Sequence, residues 1–392
     1  MRFDAIVAGL GPAGSTAART LASAGLNVLA LDKARFPRYK SCGGCISTKI
    51  ERILDFDIKN VVEDSIYGAT FTYRYGRKVD IMSDRVIGHN VMRDRFDHHL
   101  VSMAKAAGAR IIEGFRVTGV RDDGDSVTVT GEKGESYKGS FLVGADGAAG
   151  FTGREHFKLD PKKAAVSITA EVPYDRGKTD LSGRLFIDFG SVPFGYGWVF
   201  PKQSCLSVGV AGDAVKTGGR IKEIFNDFVS NHFALEGLNA ESRVGWTVPA
   251  FYDGAGASVK GRVVLTGDTG HLVDPFLGEG IYYAIRTAHA AANVIIECGR
   301  SGSADLAPYQ AWLEKEIYPE FKAAEKLGDL VYNYPRLWYG IIEKDTEIMR
   351  RYYNVIRGEE GCAEFYGWVY GKVKSKPWKF IRRWIDSRFL PA

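Results

Sequence analysis

Residues 2–32 read RFDAIVAGLGPAGSTAARTLASAGLNVLALD, and this stretch decides the fold. An apolar run over residues 3–8 meets glycines. A segment rich in Ala, Leu and Arg follows over 12–24, and a second apolar run over 27–31 ends at Asp32. That order predicts strand, turn, helix, strand, a unit of the size that builds parallel sheets. Within it, Gly9 permits a tight turn, Gly11 lets backbone amides approach a pyrophosphate, and Gly14 lets helix and strand pack closely. The helix N-terminus offers partial positive charge to phosphates. Asp32, 18 residues beyond Gly14, stands where a carboxylate holds ribose hydroxyls. An ordinary glycine-rich turn needs none of these companions, so the stretch reads as a dinucleotide-binding βαβ unit.

Outward from it, Phe96, Leu100, Met103, Ala104 and Ala107 recur at helical spacing and stop at Gly108. Strands are expected over 110–113, 114–121 and 126–131, with a turn at Asp122-Asp123-Gly124-Asp125. A buried strand over 141–144 runs into Ala145-Asp146-Gly147. After about residue 154 the composition changes. Residues 165–172, 184–189, 197–200 and 204–211 alternate as half-buried antiparallel strands do. Residues 220–233 read as a helix, 261–265 as a buried strand, 280–297 as an apolar helix, and the chain from 307 as mostly helical. The expected class is α/β (α+β). The expected division is a dinucleotide-binding domain over 1–160, an antiparallel-sheet substrate domain over 161–255, a return segment over 256–300 and a helical region over 301–392.

Of the 392 residues, 45% are hydrophobic and 25% charged, the balance of a globular protein with a core. No run of about 18 apolar residues appears, so no membrane-spanning helix is expected. The N-terminus reads as a buried strand rather than a signal peptide. Five cysteines argue against a secreted disulfide scaffold, and the cytoplasm is the expected compartment. Residues 372–392 hold seven basic side chains against one acidic, a net +6 in a chain of net +5. The basicity is therefore local, and nucleic acid is not an expected partner.

Four further motifs carry a resemblance. Phe141-Leu-Val-Gly-Ala-Asp146-Gly147 and Gly267-Asp268-x-x-His271-x-x-Asp274-Pro275-x-x-Gly278-Glu279-Gly280-Ile281 resemble the second and third signatures of the flavoprotein hydroxylase superfamily, whose type member is para-hydroxybenzoate hydroxylase. Pro193-Phe-Gly-Tyr196-Gly-Trp198-Val-Phe200-Pro201 resembles the P-x-x-Y-x-W-x-F-P motif of the geranylgeranyl reductase family within it. Lys40-Ser41-Cys42-Gly43-Gly44 resembles that family's Lys-Pro-Cys-Gly-Gly loop, with Ser41 in place of proline. The resemblance runs from residue 1 to about 300. It implies FAD as cofactor and a Rossmann-like FAD-binding domain. It implies cofactor contacts from Gly9, Gly11, Ala13, Gly14, Asp32, Lys33, Cys42, Gly43, Arg93, Val117, Asp146, Gly147, Asp268, Gly278, Gly280 and Ile281. The helix beginning at Gly280 would turn its dipole toward the flavin ring and stabilise negative charge on it. A prenyl-chain substrate is implied, bound by Pro193, Tyr196, Trp198, Phe200 and Pro201, with Cys42, Tyr196 and Trp198 nearest the chemistry. The electron donor is NAD(P)H or a ferredoxin.

The residues themselves leave alternatives. Tyr196, Trp198 and Phe200 share one face of a strand, which makes either a substrate wall or a plain sheet core. Cys42 and Cys45 form Cys-x-x-Cys without a second pair at zinc spacing, so no metal is expected; a flavin-side Cys42 and a regulatory disulfide are the two readings kept. Cys205, Cys298 and Cys362 read as buried small residues. His271 faces the flavin or packs. In the tail, Trp378, Ile381, Trp384 and Ile385 share a helical face beside Lys379, Arg382 and Arg383. That pattern suits docking on an anionic membrane surface or packing on the body. The runner-up activities are an aromatic-ring monooxygenase and a membrane-surface electron-transfer flavoprotein.

Overall fold

The computed structural model describes residues 2–160, 164–254 and 256–375, which fall into two compact units. The basic amphipathic tail lies outside the described residues.

The first unit gathers residues 1–40, 93–164 and 247–321. Its sheet runs Val263–Leu265, Ser136–Gly144, Arg2–Ala8, Val28–Asp32 and Arg110–Glu113, each parallel to its neighbour. Strands covered on both faces become continuously apolar, and every residue of Val28–Asp32 is buried. Alternation still assigns the faces. Ala5, Val7, Val28 and Ala30 pack with the helices Pro12–Ser23 and Ile281–Ser301, whereas Ile6, Ala8, Leu29 and Leu31 pack with Phe115, Val127 and Val129. The latter come from the segment holding the antiparallel strands Val117–Asp122 and Val127–Gly131. The helix Ile281–Ser301 starts one residue later and ends four later than its expected 280–297.

The described part of the second unit gathers residues 41–92, 165–246 and 322–375. Residues 41–92 therefore sit with the sheet that the sequence reading places after residue 160. Its seven-stranded sheet runs Arg243–Val248, Ala165–Pro173, Cys205–Asp213, Gly195–Pro201, Arg184–Phe189, Gly68–Tyr73 and Lys78–Met82. The expected antiparallel character holds for the three pairings among the expected strands; two further strands, Gly68–Tyr73 and Lys78–Met82, also pair antiparallel, but Arg184–Phe189 runs parallel to Gly68–Tyr73. That pair joins segments more than a hundred residues apart, so no hairpin constrains its direction. One face packs Ile168, Val199, Val208 and Val210 under Phe225 and Phe228 of the helix Ile221–Asn231. Gly197 makes this approach possible: a Cβ there would lie 2.4 Å from the Phe228 ring. The opposite face carries the side chains considered next. No helix among the described residues is long and apolar enough to cross a membrane.

Candidate functional site: a dinucleotide cradle and an aromatic sheet face

In the first unit the three glycine signatures meet at the carboxyl ends of the parallel strands, where open α/β sheets bind ligands. Gly9 has φ +96°, and a Cβ on it would lie 2.2 Å from the Ala145 carbonyl oxygen, so only glycine lets the first signature close on the second. A Cβ on Gly14 would lie 1.8 Å from the Gly9 carbonyl oxygen, which is the close helix–strand packing expected of that position. Gly147 N donates to Thr269 Oγ1 at 2.7 Å, tying the second signature to the third. Gly267 in turn approaches Ala13 and Ala284 so closely that a Cβ would come within 3.0–3.2 Å of theirs.

The amide ends of two helices open here. Gly11 precedes Pro12–Ser23 and Gly280 precedes Ile281–Ser301, neither with a side-chain cap. Capping groups would occupy the amides a phosphate or ring carbonyl needs. Asp32 is buried; its Oδ2 accepts from Leu10 N and its Oδ1 from Ala34 N, both at 2.7 Å, which fixes the carboxylate at the strand tip beside exposed Lys33. Phe115 N donates to Asp32 O, and Val117 follows two residues later against the core beneath. Asp268 lies beside Gly280, whose Cβ would be 3.4 Å from Asp268 Oδ1. Gly278 takes φ +69°, and Asp274 Oδ1 accepts from Phe276 N and Leu277 N at 2.8 Å, shaping the loop into the second helix.

Two of the expected cofactor residues also make contacts within the protein. Asp146 turns its carboxylate onto Thr152, accepting from the amide at 3.0 Å and from the hydroxyl, and burial pushes its pKa up. Arg93 spends Nε and Nη2 on both oxygens of the fully buried Asp97, at 2.8 and 2.9 Å. Arg38, which the sequence reading passed over, joins the same carboxylate at 2.8 Å. Its guanidinium lies over the Phe36 ring and beside Gly11, and its Nη1 is buried without a hydrogen-bond partner. An orphaned guanidinium nitrogen next to the phosphate-binding turn fits an anionic diphosphate. With the open amides and the glycine cradle, the residues fit FAD. His271 takes φ +56° with Nδ1 buried and unpartnered, and burial lowers its basicity.

In the second unit, register places Tyr196, Trp198 and Phe200 on the face opposite the Phe228 core, with Ile187 and Phe189 beside them on one strand and Ser207, Gly209 and Ala211 on the other. Phe71 stacks on Phe189 at 6.1 Å. The rings of Tyr196, Trp198 and Phe200 follow one another at 6.0 and 6.1 Å. Trp198 lies across Gly209, where a Cβ would be 2.2 Å from the indole. Its Nε1–H is buried with no acceptor. Tyr339 of the helix Pro335–Lys344 meets Tyr73, and Tyr332 meets Phe194, so helical segments touch the aromatic edge of this sheet. Gly43 packs against Phe200 and Trp198, and Gly44 N donates to Cys42 Sγ at 3.3 Å. Cys42 and Cys45 are separate thiols. Cys298 and Cys362 are buried as expected, but Cys205 is only half-buried and faces Glu171.

The fold and cradle define an FAD-binding flavoprotein of the para-hydroxybenzoate hydroxylase type. Residues 2–169 match the FAD binding domain family. A geranylgeranyl diphosphate reductase of Rhodobacter capsulatus is 34% identical over 351 residues, 85% of each chain. A digeranylgeranylglycerophospholipid reductase of Methanocella arvoryzae is 28% identical over 84% of this chain and 87% of its own. The fold is shared with a geranylgeranyl bacteriochlorophyll reductase-like protein of Thermoplasma acidophilum (TM-score 0.77, 21% identity, 98% and 99% of the two chains). It is shared as well with a flavin-dependent brominase (TM-score 0.74, 18% identity, 96% and 100%). The chain belongs to the geranylgeranyl reductase family. It is an FAD-dependent oxidoreductase acting on CH–CH bonds.

Proposed function

We propose that the protein saturates double bonds of geranylgeranyl-type prenyl chains, carried on a lipid, a diphosphate or a side chain. The observation that carries this reading is the aromatic sheet face of the second unit, a row of rings suited to an apolar chain rather than to a small hydroxylated acid. Bound and reduced, FAD supplies a hydride to one alkene carbon. This chain's residues do the rest. Gly9, Gly11, Ala13, Gly14, Gly147, Gly278, Gly280 and Ile281 give the cofactor backbone approach, and Asp32, Lys33, Arg93, Val117, Asp146 and Asp268 surround it with polar and packing contacts. Cys42 and Gly43 border the reacting region. Pro193, Tyr196, Trp198, Phe200 and Pro201 hold the prenyl chain, and the negative ring faces would stabilise the positive charge that develops as protonation of an isolated alkene runs ahead of hydride arrival. NAD(P)H or a ferredoxin is the electron donor, and the basic tail holds the enzyme at an anionic membrane surface.

The test is anaerobic reduction with dithionite, addition of geranylgeranyl diphosphate or a geranylgeranylated lipid, and mass spectrometry of the products. Products heavier by pairs of hydrogens, formed in step with flavin reoxidation, are the expected result. Flavin that stays reduced until oxygen is admitted would replace this reading with the monooxygenase.

A further inference from the structure

The aromatic face of the second unit is closed at one end and open at the other. Along Gly195–Pro201, Phe200 and Trp198 are buried and Gly43 lies against both, whereas Tyr196 and, before it, Phe194 are half-buried. An apolar chain laid along these rings therefore has its outer end at Phe194. Tyr73 stands at the same end of the sheet, because Gly68–Tyr73 and Arg184–Phe189 run parallel and finish level with each other. Cys205–Asp213 also finishes there, antiparallel to Gly195–Pro201. Two exposed cations lie over the outermost rings. Lys216 Nζ is 3.4 Å from the centroid of Phe194, and the Arg74 guanidinium is 5.8 Å from that of Tyr73. Neither has an acidic partner among the described residues, and Arg74 uses only Nε, donating to Gly190 O at 3.2 Å. The carboxylates of this region are committed elsewhere: Asp213 caps Val215 N and Lys216 N, Asp188 accepts from Thr72 Oγ1 and Tyr75 N, and Glu343 pairs with Arg77. Arg74 and Phe194 hold φ of +48° and +50°, where glycine is favoured, so both side chains are kept at a cost. Val215, beside Lys216, is 81% exposed, and Tyr334, two residues beyond the Tyr332 that meets Phe194, is 50% exposed. Unpaired cations set in apolar surface, at the open end of a row of rings, match a ligand with an apolar chain and an anionic end.

We propose that Lys216 and Arg74 form an anion subsite that holds the phosphate end of the substrate while its chain lies over Tyr196, Trp198 and Phe200. The assignment rests on the prenyl-chain reading of this face. It narrows the substrate to a prenyl chain ending in phosphate, either a free diphosphate or the phosphate of a lipid head group. A guanidinium binds two phosphate oxygens at once, and an ammonium adds a compact charge beside it. A prenyl alcohol, or a prenyl chain carried on a neutral ring, gains nothing from the pair.

The test is binding of geranylgeranyl diphosphate and of geranylgeraniol to the oxidised, FAD-loaded protein, by isothermal titration calorimetry in one detergent, so that no turnover is needed. Wild type is expected to bind the diphosphate about tenfold tighter than the alcohol. Added salt should narrow that gap. K216M/R74M should bring the two ligands to within about twofold of each other, and K216R/R74K, which keeps both charges, should restore most of the preference. Both side chains are exposed, and an unchanged melting temperature verifies the fold of each variant. A geranylgeranylated glycerophospholipid in mixed micelles forms the second arm. Affinity lost in K216M/R74M for both phosphate ligands supports a subsite for the shared phosphate, and loss for one alone assigns it to that source. Wild type that binds diphosphate and alcohol equally, or a double variant that keeps the wild-type preference for either phosphate ligand over the alcohol, would overturn the subsite and leave the reductase reading standing. Wild type that shows the preference yet reduces no prenyl chain would remove the reductase reading and leave the subsite.

Discussion

At Gly14 a single methyl group decides whether the cradle forms. A Cβ 1.8 Å from the Gly9 carbonyl oxygen has no flexible side chain to displace, only backbone. Gly14→Ala is expected to cost about 3 kcal/mol of stability and to leave purified protein with little flavin, read from the flavin-to-protein absorbance ratio and the melting temperature. Gly25→Ala is the control: its φ of +86° also favours glycine, but the space around it is open. It should cost about 1–2 kcal/mol and leave flavin content alone. Arg38 makes a second residue-scale case. Its unpartnered Nη1 and its place beside Gly11 predict that Arg38→Ala weakens FAD binding about 10- to 100-fold. Arg93 keeps Asp97 paired in that variant, so the fold should survive. Titration of apoprotein with FAD checks it, and unchanged affinity would return Arg38 to a packing role. Arg38 was hard to see in the sequence because its meaning depends on Asp97, 59 residues on, rather than on its neighbours.

Among the elements, the parallel strands and their glycine turns were legible because each acts over a short stretch: apolar run, glycine, helix, acid. Gly9, Gly14 and Asp32 occupy the places their spacing predicts. The sheet of the second unit was legible only in part. Its strands alternate visibly, but Gly68–Tyr73 pairs with Arg184–Phe189, and Thr72 reaches Asp188 across a separation of 116 residues. Local patterning encodes strand character and not partner, so residues 41–92 could not be assigned by composition. Within this sheet, the facing positions of Trp198 and Gly209 make a test at the element's own scale. Gly209→Ala would drive a methyl into the indole at 2.2 Å and swing the ring off the face. On the proposed function, prenyl turnover should fall at least tenfold while FAD binding, which depends on the first unit's glycines, is unchanged. Assaying both on the same preparation separates a displaced substrate wall from a general loss of fold.

For the molecule as a whole, part of the acid sensitivity lies in a histidine that no motif announces. His232 is 2% exposed, ringed by Phe186, Phe228 and Phe233, and its Nδ1 accepts from Ala234 N while Nε2 has no partner. Burial, helped by the nearby Lys78 charge, lowers its basicity from the ordinary 6.5 to about 4. The folded protein thus holds this imidazole neutral where the unfolded chain protonates it. A base with a depressed constant contributes stability that is fully present above about 6.5 and is lost as pH falls toward 4. The loss is on the order of 3 kcal/mol. Asp146 and Asp188 work in the opposite sense, since burial raises both and an acid so raised favours the folded state at low pH. Their contributions are common to wild type and a His232 variant, so the difference between the two isolates the histidine. His232→Gln keeps an acceptor for the Ala234 amide and cannot be protonated. It should be less stable than wild type at pH 7, and the gap should close steadily between pH 6.5 and pH 4, followed by urea denaturation at each pH. Two curves that stay parallel across that window would mean that His232 is protonated in the folded state and that the acid sensitivity of the second unit lies elsewhere.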